Sequence, residues 1–422
     1  MSAETISFRT LTLRVAITLA VALPAVALRL SGVHPTPVLG MVIYGAGVLA
    51  AAVVLMWAAE TARADMSGAL ALALLALIAV LPEYAVDLYY AYTAGSKPEY
   101  TSYAAANMTG ANRLLVGVGW ALVVLAFALG ARRLAKRGEK APARRDVHLD
   151  RHHRIELGFL AMAAVIAFIP PLVGEIGWYV SILLIAIYVA YIARIARSGG
   201  EDVEELVGVP AWLAQLPRKQ RRLATWGGFL LGAIIVFASA EPFAESLVEA
   251  GSKLGVDEFL LVQWLAPLAS EAPELIVAVV FAWRLRDNDA IGALLSSKVN
   301  QWTLLIGTLP LAYKAGGGDW SLPLDSRQAE EVLLTAAQTV LGLAMLIDLY
   351  FRRAEAALLF ALFAVQFVLP DQTARLWLSG VYLAIGFSIL IARHRDLGAA
   401  MNAAAGPALR AGVRRAGSHR RR

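Results

Sequence analysis

Two short runs set a Pro-Glu pair inside stretches that are otherwise apolar enough to cross a bilayer. They read LPEYAVD from Leu81 to Asp87 and SEAPELIVA from Ser270 to Ala278. A carboxylate at membrane depth costs about 3 kcal/mol on insertion scales, and it is usually kept to face a partner, a cavity or an ion. Proline interrupts the helix ladder and frees a carbonyl one turn earlier, and transporters build cation sites from such broken acidic helices. The two runs therefore predict one shared cation site.

Each run carries two carboxylates on one helix face. Asp87 follows Glu83 by four positions, and Glu274 follows Glu271 by three, so the members of each pair lie about one turn apart. Oxygen ligands favour calcium, magnesium, manganese or sodium over softer metals. Four negative charges at one dry site repel each other, so some should hold protons at neutral pH. Cation and proton then compete for the same oxygens, as antiport requires.

A polar helix follows each acidic helix. Ala105 to Gly119 reads AANMTGANRLLVGVG, and Ala293 to Gly307 reads ALLSSKVNQWTLLIG. These segments offer neutral oxygen ligands, on Asn107, Thr109, Asn112, Ser296, Ser297, Asn300 and Gln301. The alternative for any one of them is helix-helix hydrogen bonding. The carboxylates have an alternative as well, because they could cap helix breaks or pair with Arg113 and Lys298 in these same segments.

Composition identifies the class of protein. Of the 422 residues, 59% are hydrophobic and 17% are charged, and the mean hydropathy is +0.63, which indicates an all-α polytopic membrane protein. The chain has no cysteine, which excludes disulfides and thiolate chemistry. All six histidines fall in predicted loops or the tail, which argues against an intramembrane zinc, haem or histidine relay. No HExxH, GxSxG or phosphate-binding glycine loop supports an enzyme, and no cofactor is expected beyond the transported ions.

Hydropathy predicts ten to twelve transmembrane helices. Given that a span needs about 20 residues, twelve stretches qualify: 10–30, 38–60, 66–94, 102–130, 155–172, 176–196, 225–250, 257–285, 289–314, 329–351, 355–370 and 374–393. The polar breaks at 131–154 and 197–223 are basic, so the positive-inside rule places both in the cytoplasm. The helix of Glu83 then runs outward and that of Glu274 inward. Similar motifs in opposite orientation predict an inverted-topology repeat of about five helices in each half, plus extra spans.

The predicted organisation has five parts: an extra transmembrane helix in 1–36, a first repeat in 37–196 with its motif near 78–119, a cytoplasmic linker in 197–223, a second repeat in 224–393 with its motif near 267–307, and a basic disordered tail in 394–422. We expect a multi-pass protein of a bacterial-type cell membrane with both termini cytoplasmic. Its expected partners are the lipid bilayer and inorganic cations, with no nucleic acid. The oligomeric state is left open.

A second internal match has a different character. Arg154 to Glu156 and Ile192 to Arg194 match Arg353 to Glu355 and Ile391 to Arg393 at constant spacing. The predicted topology gives both hairpins the same orientation, so they cannot be inverted copies. Either the match is chance, or the topology miscounts a helix near 329–351.

The paired motifs resemble the two alpha-repeats of the cation/calcium exchanger superfamily, which includes sodium/calcium and calcium/proton antiporters. The resemblance covers roughly 38–130 and 225–315. It implies that Glu83 and Glu274 are the paired ion-binding glutamates. It also implies a secondary transporter that works by alternating access, rather than an enzyme.

The same resemblance extends to the polar helices. Thr109 to Asn112 resembles the family's Gly-Ser-Asn segment with alanine in place of serine, which implies a ligand role for Asn112 and for Asn107. In the second repeat, Ser297 belongs to a segment that can be aligned with either Lys298 or Asn300 at the asparagine position.

Departures from the family pattern bear on the coupling ion. The family usually reads Gly-Thr-Ser before Leu-Pro-Glu, whereas this chain has Ile78 to Val80 and Ala269 to Glu271, so most of those hydroxyls are missing. Asp87 stands where serine or threonine is usual, and Arg113 or Lys298 could act as a tethered cation at a sodium position. The prediction is an antiporter of Ca²⁺ or a related cation against H⁺ or Na⁺, most simply Ca²⁺ against protons. The alternatives are a sodium/proton exchanger of the same fold, or a membrane enzyme or non-ion transporter that uses the carboxylates.

Overall fold

The computed structural model describes residues 7–62, 64–65, 80–138, 146–197, 206, 208–369 and 371–406. Part of the predicted third span, including Ile78, lies outside the described residues. So do residues 139–145 of the first basic break and residues 407–422 of the predicted tail. Residues 394–405 of that tail form a helix, so the prediction of disorder is wrong there.

Helices account for most of the described chain. The first half contains α1 (Phe8–Ser31), α2 (Pro37–Ala62), α3 (Leu81–Ala94), α4 (Tyr100–Leu114), α5 (Trp120–Lys136), β1 (Val147–His148), α6 (Arg154–Ile166), α7 (Ile169–Val173), β2 (Glu175–Ile176), α8 (Trp178–Arg197) and α9 (Val209–Ala214). The second half contains α10 (Arg218–Leu254), α11 (Glu258–Trp283), α12 (Asp287–Asn300), α13 (Ile306–Ala315), β3 (Leu322–Pro323), α14 (Ser326–Leu346), β4 (Tyr350–Phe351), α15 (Arg353–Val365), α16 (Gln372–Ala392) and α17 (His394–Ala405).

Every predicted span corresponds to helix in the described part of the chain, the third of them from α3 onward. By length and composition, 9 helices of that part qualify as membrane spans, with α4–α5 and α6–α7 each counting as one. The three predicted stretches beyond those lie at α3, whose preceding residues 66–79 are outside the described part, at the more polar α12–α13, and at the short α15. The helical membrane class is therefore confirmed.

The two polar helices are interrupted at corresponding places. A π-helical segment, Leu115–Gly119, joins α4 to α5, and another, Gln301–Leu305, joins α12 to α13. Single π turns inside α-helices are uncommon and frequently lie at functional sites. Each follows directly after a predicted ligand segment.

The predicted inversion is confirmed by close helix contacts. Gly110 lies against Gln263 and Gly130 against Trp283, so α4–α5 and α11 run in the same direction. Only the short segment 95–99 separates α3 from α4. Helix α3, which carries Glu83, therefore runs opposite to α11, as an inverted repeat requires.

The leading helices of the two repeats, α2 and α10, pack antiparallel. Gly40 lies against Ser246 and Gly47 against Ser239, with glycine in each case allowing the helix backbones to approach. Small residues at the contact are how membrane helices gain packing without a hydrophobic drive between them.

Two short ribbons connect the halves. Strand β1 pairs antiparallel with β4, and β2 pairs antiparallel with β3. The pairs lie at opposite ends of α6–α7, since β1 precedes this segment and β2 follows it. The first half is thus joined to the second at both ends of the bundle.

The second internal match does not come from a miscounted helix. Helix α14 is present where the prediction placed it, and α16 runs parallel to it: Gln372 Nε2 donates to Ser326 O at 2.6 Å near the start, and Arg393 Nη1 donates to Ala344 O at 3.1 Å near the end. A miscounted helix at 329–351 therefore does not explain the match.

Candidate functional site

Three glutamates from the two Pro-Glu helices line one small cavity. Glu83 comes from α3, and Glu271 and Glu274 come from α11. The cavity has a volume of about 30 Å³. Its remaining lining consists of Ala52, Met56, Val80, Pro82, Ser270 and Pro273. The antiparallel helices therefore bring carboxylates from both halves of the chain to one place.

The prolines explain why the chain can put carboxylates there. Pro82 opens α3 in its first turn, where its missing N–H leaves no bond unmade. Glu83 follows in the same first turn, near the free N–H groups and positive dipole end of a helix. Pro273 lies inside α11 and removes the donor that the carbonyl of Ala269 would otherwise bind.

An amide bridges part of the site. Gln301 Nε2 donates to Glu271 Oε1 at 2.8 Å, and the same side chain lies beside Glu83. Glu271 Oε2 and Glu83 Oε1 are buried and have no hydrogen-bond partner among the described residues. Buried carboxylate oxygens are normally paired, so these two are available to a proton or a cation.

Asp87 lies one turn beyond Glu83 and is fully buried, with 0% of its surface exposed. The amide of Asn107 lies beside its carboxyl group. Within the described ranges, neither side chain completes a hydrogen bond of ordinary geometry. Ser297 lies beside Glu274 in the same way, its hydroxyl unpaired within those ranges. Asn107 and Ser297, two more of the predicted oxygen ligands, are thus buried next to the carboxylates.

The other two predicted asparagines have their oxygens bound by protein donors. Lys298 Nζ donates to Asn112 Oδ1 at 2.7 Å, and Tyr84 Oη donates to Asn300 Oδ1 at 3.0 Å. The Lys298 side chain is fully buried, and its Nζ lies 4.3 Å from the centre of the Trp302 ring. The resemblance implied a ligand role for Asn112 and, in one of two alignments, for Asn300, whereas here each oxygen accepts a bond from the opposite half of the chain.

Arg113 belongs to a different cluster. Its guanidinium forms an ion pair with Glu331 of α14, and its Nη1 donates to Gln366 Oε1 at 2.9 Å. Arg375 of α16 pairs with the same Glu331 at 2.8 Å and with Glu330 at 3.5 Å. Lys298, the other predicted tethered cation, lies within electrostatic reach of Glu83 and Glu271.

Sequence reasoning did not identify this second buried cluster, although it left a signal. Two adjacent glutamates begin a predicted span, and an arginine begins another in the same half. Buried charges in a membrane pair with one another, so such residues in neighbouring spans are candidate partners.

Chemically, the cavity is a hard, anionic oxygen site. Three glutamates meet there, Asp87 lies one turn away, and the amine of Lys298 lies within electrostatic reach. Carboxylate oxygens suit a divalent cation such as Ca²⁺, and the same oxygens can hold protons.

Comparison with known proteins places this geometry in context. The sequence profile of the family described as sodium/calcium exchanger protein matches residues 36–196 and 224–370. A crystal structure described as the H⁺/Ca²⁺ exchanger CAX is 42% identical, with a TM-score of 0.85, and the match covers 93% of this chain and 97% of that one.

More distant similarities agree in fold. The native structure of YfkE is 16% identical with a TM-score of 0.58, and the match covers 87% of this chain and 99% of that one, which shows a shared fold alone. CaxA of Alkalimonas amylolytica is 26% identical over 190 residues, or 40% of this chain. The chain spans 57% of the length of that curated relative.

Proposed function

Because the chain belongs to the sodium/calcium exchanger protein family, we propose that it is a secondary active antiporter that exchanges Ca²⁺ for protons. The observation that carries this proposal is the cavity where Glu83, Glu271 and Glu274 meet from two antiparallel helices. A carboxylate site reached from both repeats can bind one cation and present it to either side by alternating access. Similarity to the H⁺/Ca²⁺ exchanger CAX, at 42% identity over nearly the whole chain, supports Ca²⁺ and H⁺ as the two exchanged ions.

In this proposal the glutamates are the cation ligands, with Glu83 and Glu274 as the paired residues that both repeats contribute. Asp87 and Glu271 add carboxyl groups beyond that pair, and these are the groups that exchange protons. Ca²⁺ carries two charges, so its binding displaces protons from carboxyls that cannot all stay ionised together. Asn107 and Ser297 are neutral oxygen donors at the edge of the site.

Protons are favoured over sodium as the coupling ion. The family's threonine and serine before the Pro-Glu pair, which help to bind sodium, are mostly missing from this chain. The second run has Ala269 to Glu271 at these positions. Lys298 places an amine beside Glu83 and Glu271, and in its protonated form it would repel a further monovalent cation.

The proposal includes the organisation of the chain in the membrane. Residues 37–196 and 224–393 form the two repeats around an inner-side linker at 197–223. The basic breaks place both termini on the cytoplasmic side of a bacterial-type cell membrane. No cofactor takes part, because the cations are the cargo.

The test is calcium flux in proteoliposomes under an imposed pH gradient, with sodium wholly replaced by choline. The wild-type protein should accumulate Ca²⁺ as the gradient dissipates. Glu83→Gln and Glu274→Gln, which keep the size of each side chain, should each abolish flux because the ion loses a charged ligand. A matched control is Glu175→Gln, a partly exposed change in strand β2 away from the cavity. Strict dependence on sodium, or full flux in either glutamine variant, would overturn the proposal.

A further inference from the structure

Two hydrogen bonds between the repeats remove amide oxygens from the neighbourhood of the ion. One joins Lys298 of the second repeat to Asn112 of the first at 2.7 Å, and the other joins Tyr84 of the first to Asn300 of the second at 3.0 Å. We propose that these bonds exclude sodium from the ion site, with Lys298 as the specificity-determining residue. The inference rests on the proposed function and names the coupling ion that the site rejects.

Lys298 has the position of a built-in monovalent cation. Its side chain is 0% exposed, and its ammonium contacts Asn112 Oδ1 and the face of Trp302, with Asn112 O at 3.5 Å. Glu83 and Glu271 interact with it electrostatically. Unwound backbone carbonyls coordinate sodium at broken membrane helices. The amine of Lys298 therefore engages oxygens of Asn112 that such an ion could otherwise use.

Tyr84 performs the corresponding task in the other repeat. It follows Glu83 in α3, and its ring is buried against Val80 and Leu305 in a small apolar cluster. Its hydroxyl donates to Asn300, so the lone pair of that amide is directed at a proton and not at a metal ion. Because Lys298 and Tyr84 engage the two amide oxygens, the carboxylates of the cavity are what remains to bind the cation.

Ligand occupancy is what separates sodium from calcium in this arrangement. The attraction of the carboxylates and the repulsion of a protonated Lys298 both double for a divalent ion, so charge alone does not discriminate. The carboxylates suit Ca²⁺, whereas Na⁺ finds both amide oxygens occupied. When Ca²⁺ leaves, protons neutralise the carboxylates that bound it.

The experiment measures sodium binding without transport. Thermal unfolding of the purified full-length protein is followed in choline buffer and in sodium buffer, since a ligand that binds the folded state raises the unfolding temperature. The wild type should show no sodium-specific rise. Lys298→Met combined with Tyr84→Phe removes the ammonium and the hydroxyl while keeping apolar bulk, and it should acquire a rise that Ca²⁺ competes away.

Two further variants keep the test decisive. Tyr84→Phe alone retains the buried ring and should give a smaller sodium-dependent rise, so it serves if the double variant does not fold. Lys314→Met is the matched control, because Lys314 also stands over an indole, that of Trp320 at 5.7 Å, but lies at the end of α13 away from the cavity. It should behave as the wild type does.

The outcomes separate this inference from the proposed function. A wild type that is itself stabilised by sodium overturns the inference, and so do folded variants that bind Ca²⁺ but gain no sodium response. Loss of proton-driven calcium flux in the wild type would instead overturn the proposed function, and that flux is read in a separate assay.

Discussion

Arg113 and Glu331 form an ion pair in which the two side chains are 1% and 0% exposed. The pair joins α4, which carries Asn107 and Asn112, to α14 of the other repeat. Arg375 and Glu330 complete a group of two positive and two negative charges. A balanced group avoids the cost of an isolated charge in apolar surroundings. One element of the proposed ion site is thereby fixed to α14 and α16.

Arg113→Met should lower the stability of the folded protein by about 3 kcal/mol, because removing one partner leaves a buried charge uncompensated. Arg113→Met combined with Glu331→Met should recover most of that loss, since Arg375 and Glu330 then still balance each other. Thermal unfolding in detergent measures both. The control is Arg133→Met, at the exposed end of α5. Equal stability of Arg113→Met and the control would contradict a structural role for the pair.

Gly110→Ala should destabilise the contact between α4 and α11. A Cβ at this position would lie 1.7 Å from the carbonyl oxygen of Gln263, so the helices must separate, at a cost of about 1–3 kcal/mol. Gly227→Ala in α10 meets nothing within 4 Å and should gain about 1 kcal/mol from helix propensity. Unfolding temperatures of the two variants should therefore move in opposite directions. A shift of both in the same direction would show that the close approach does not limit packing.

Asp65 should make stability depend on acid pH. Arg221 donates to this carboxyl and, with the charges of Arg222 and Arg218, holds the pKa of Asp65 below its ordinary value. A lowered folded-state pKa stabilises the protein above the unfolded value of about 3.9, and the stabilisation is lost as the pH falls through the folded pKa. Asp65→Asn should unfold at lower temperature than the wild type at pH 7 and at pH 5. The difference should shrink as the pH falls from about 4 through the lower folded-state pKa. A difference that does not shrink over this range would contradict the assignment.

Asp87→Asn should reduce the number of protons exchanged for each calcium ion. The substitution keeps the shape of a buried side chain but removes one carboxyl that can carry a proton, while the glutamates of the cavity remain. Calcium flux and the pH change inside the vesicles, recorded together, give the ratio. Asp65→Asn removes a carboxyl outside the cavity and should leave that ratio unchanged. An unaltered ratio in Asp87→Asn would exclude Asp87 as a proton carrier.

The fold was largely predictable because each relevant signal is local in the chain. Apolar stretches mark the spans, and the two Pro-Glu runs in opposite predicted orientation mark the inversion that α3 and α11 display. The meeting of Glu83 with Glu271 and Glu274 follows from that inversion.

Side-chain direction was the part that spacing alone could not provide. Arg113 is adjacent to Asn112, and the sequence offered it as a tethered cation beside the ion. Successive helical residues are turned by about 100°, so neighbours in sequence face different helices. Arg113 therefore reaches Glu331, a partner 218 positions away, whereas Lys298 meets Asn112 across the repeats. Partners so distant in the chain leave no periodic pattern.

The size of the cavity has its own consequence for which ions can pass. A volume of about 30 Å³ has room for one or two water molecules at most. An arriving ion must therefore shed nearly all of its hydration shell and accept protein oxygens in exchange. Mg²⁺ gives up water reluctantly and demands near-ideal octahedral geometry, whereas Ca²⁺ accepts irregular coordination by carboxylates. The small cavity thus imposes a dehydration cost that is larger for Mg²⁺ than for Ca²⁺, and this cost lowers the affinity for the smaller ion.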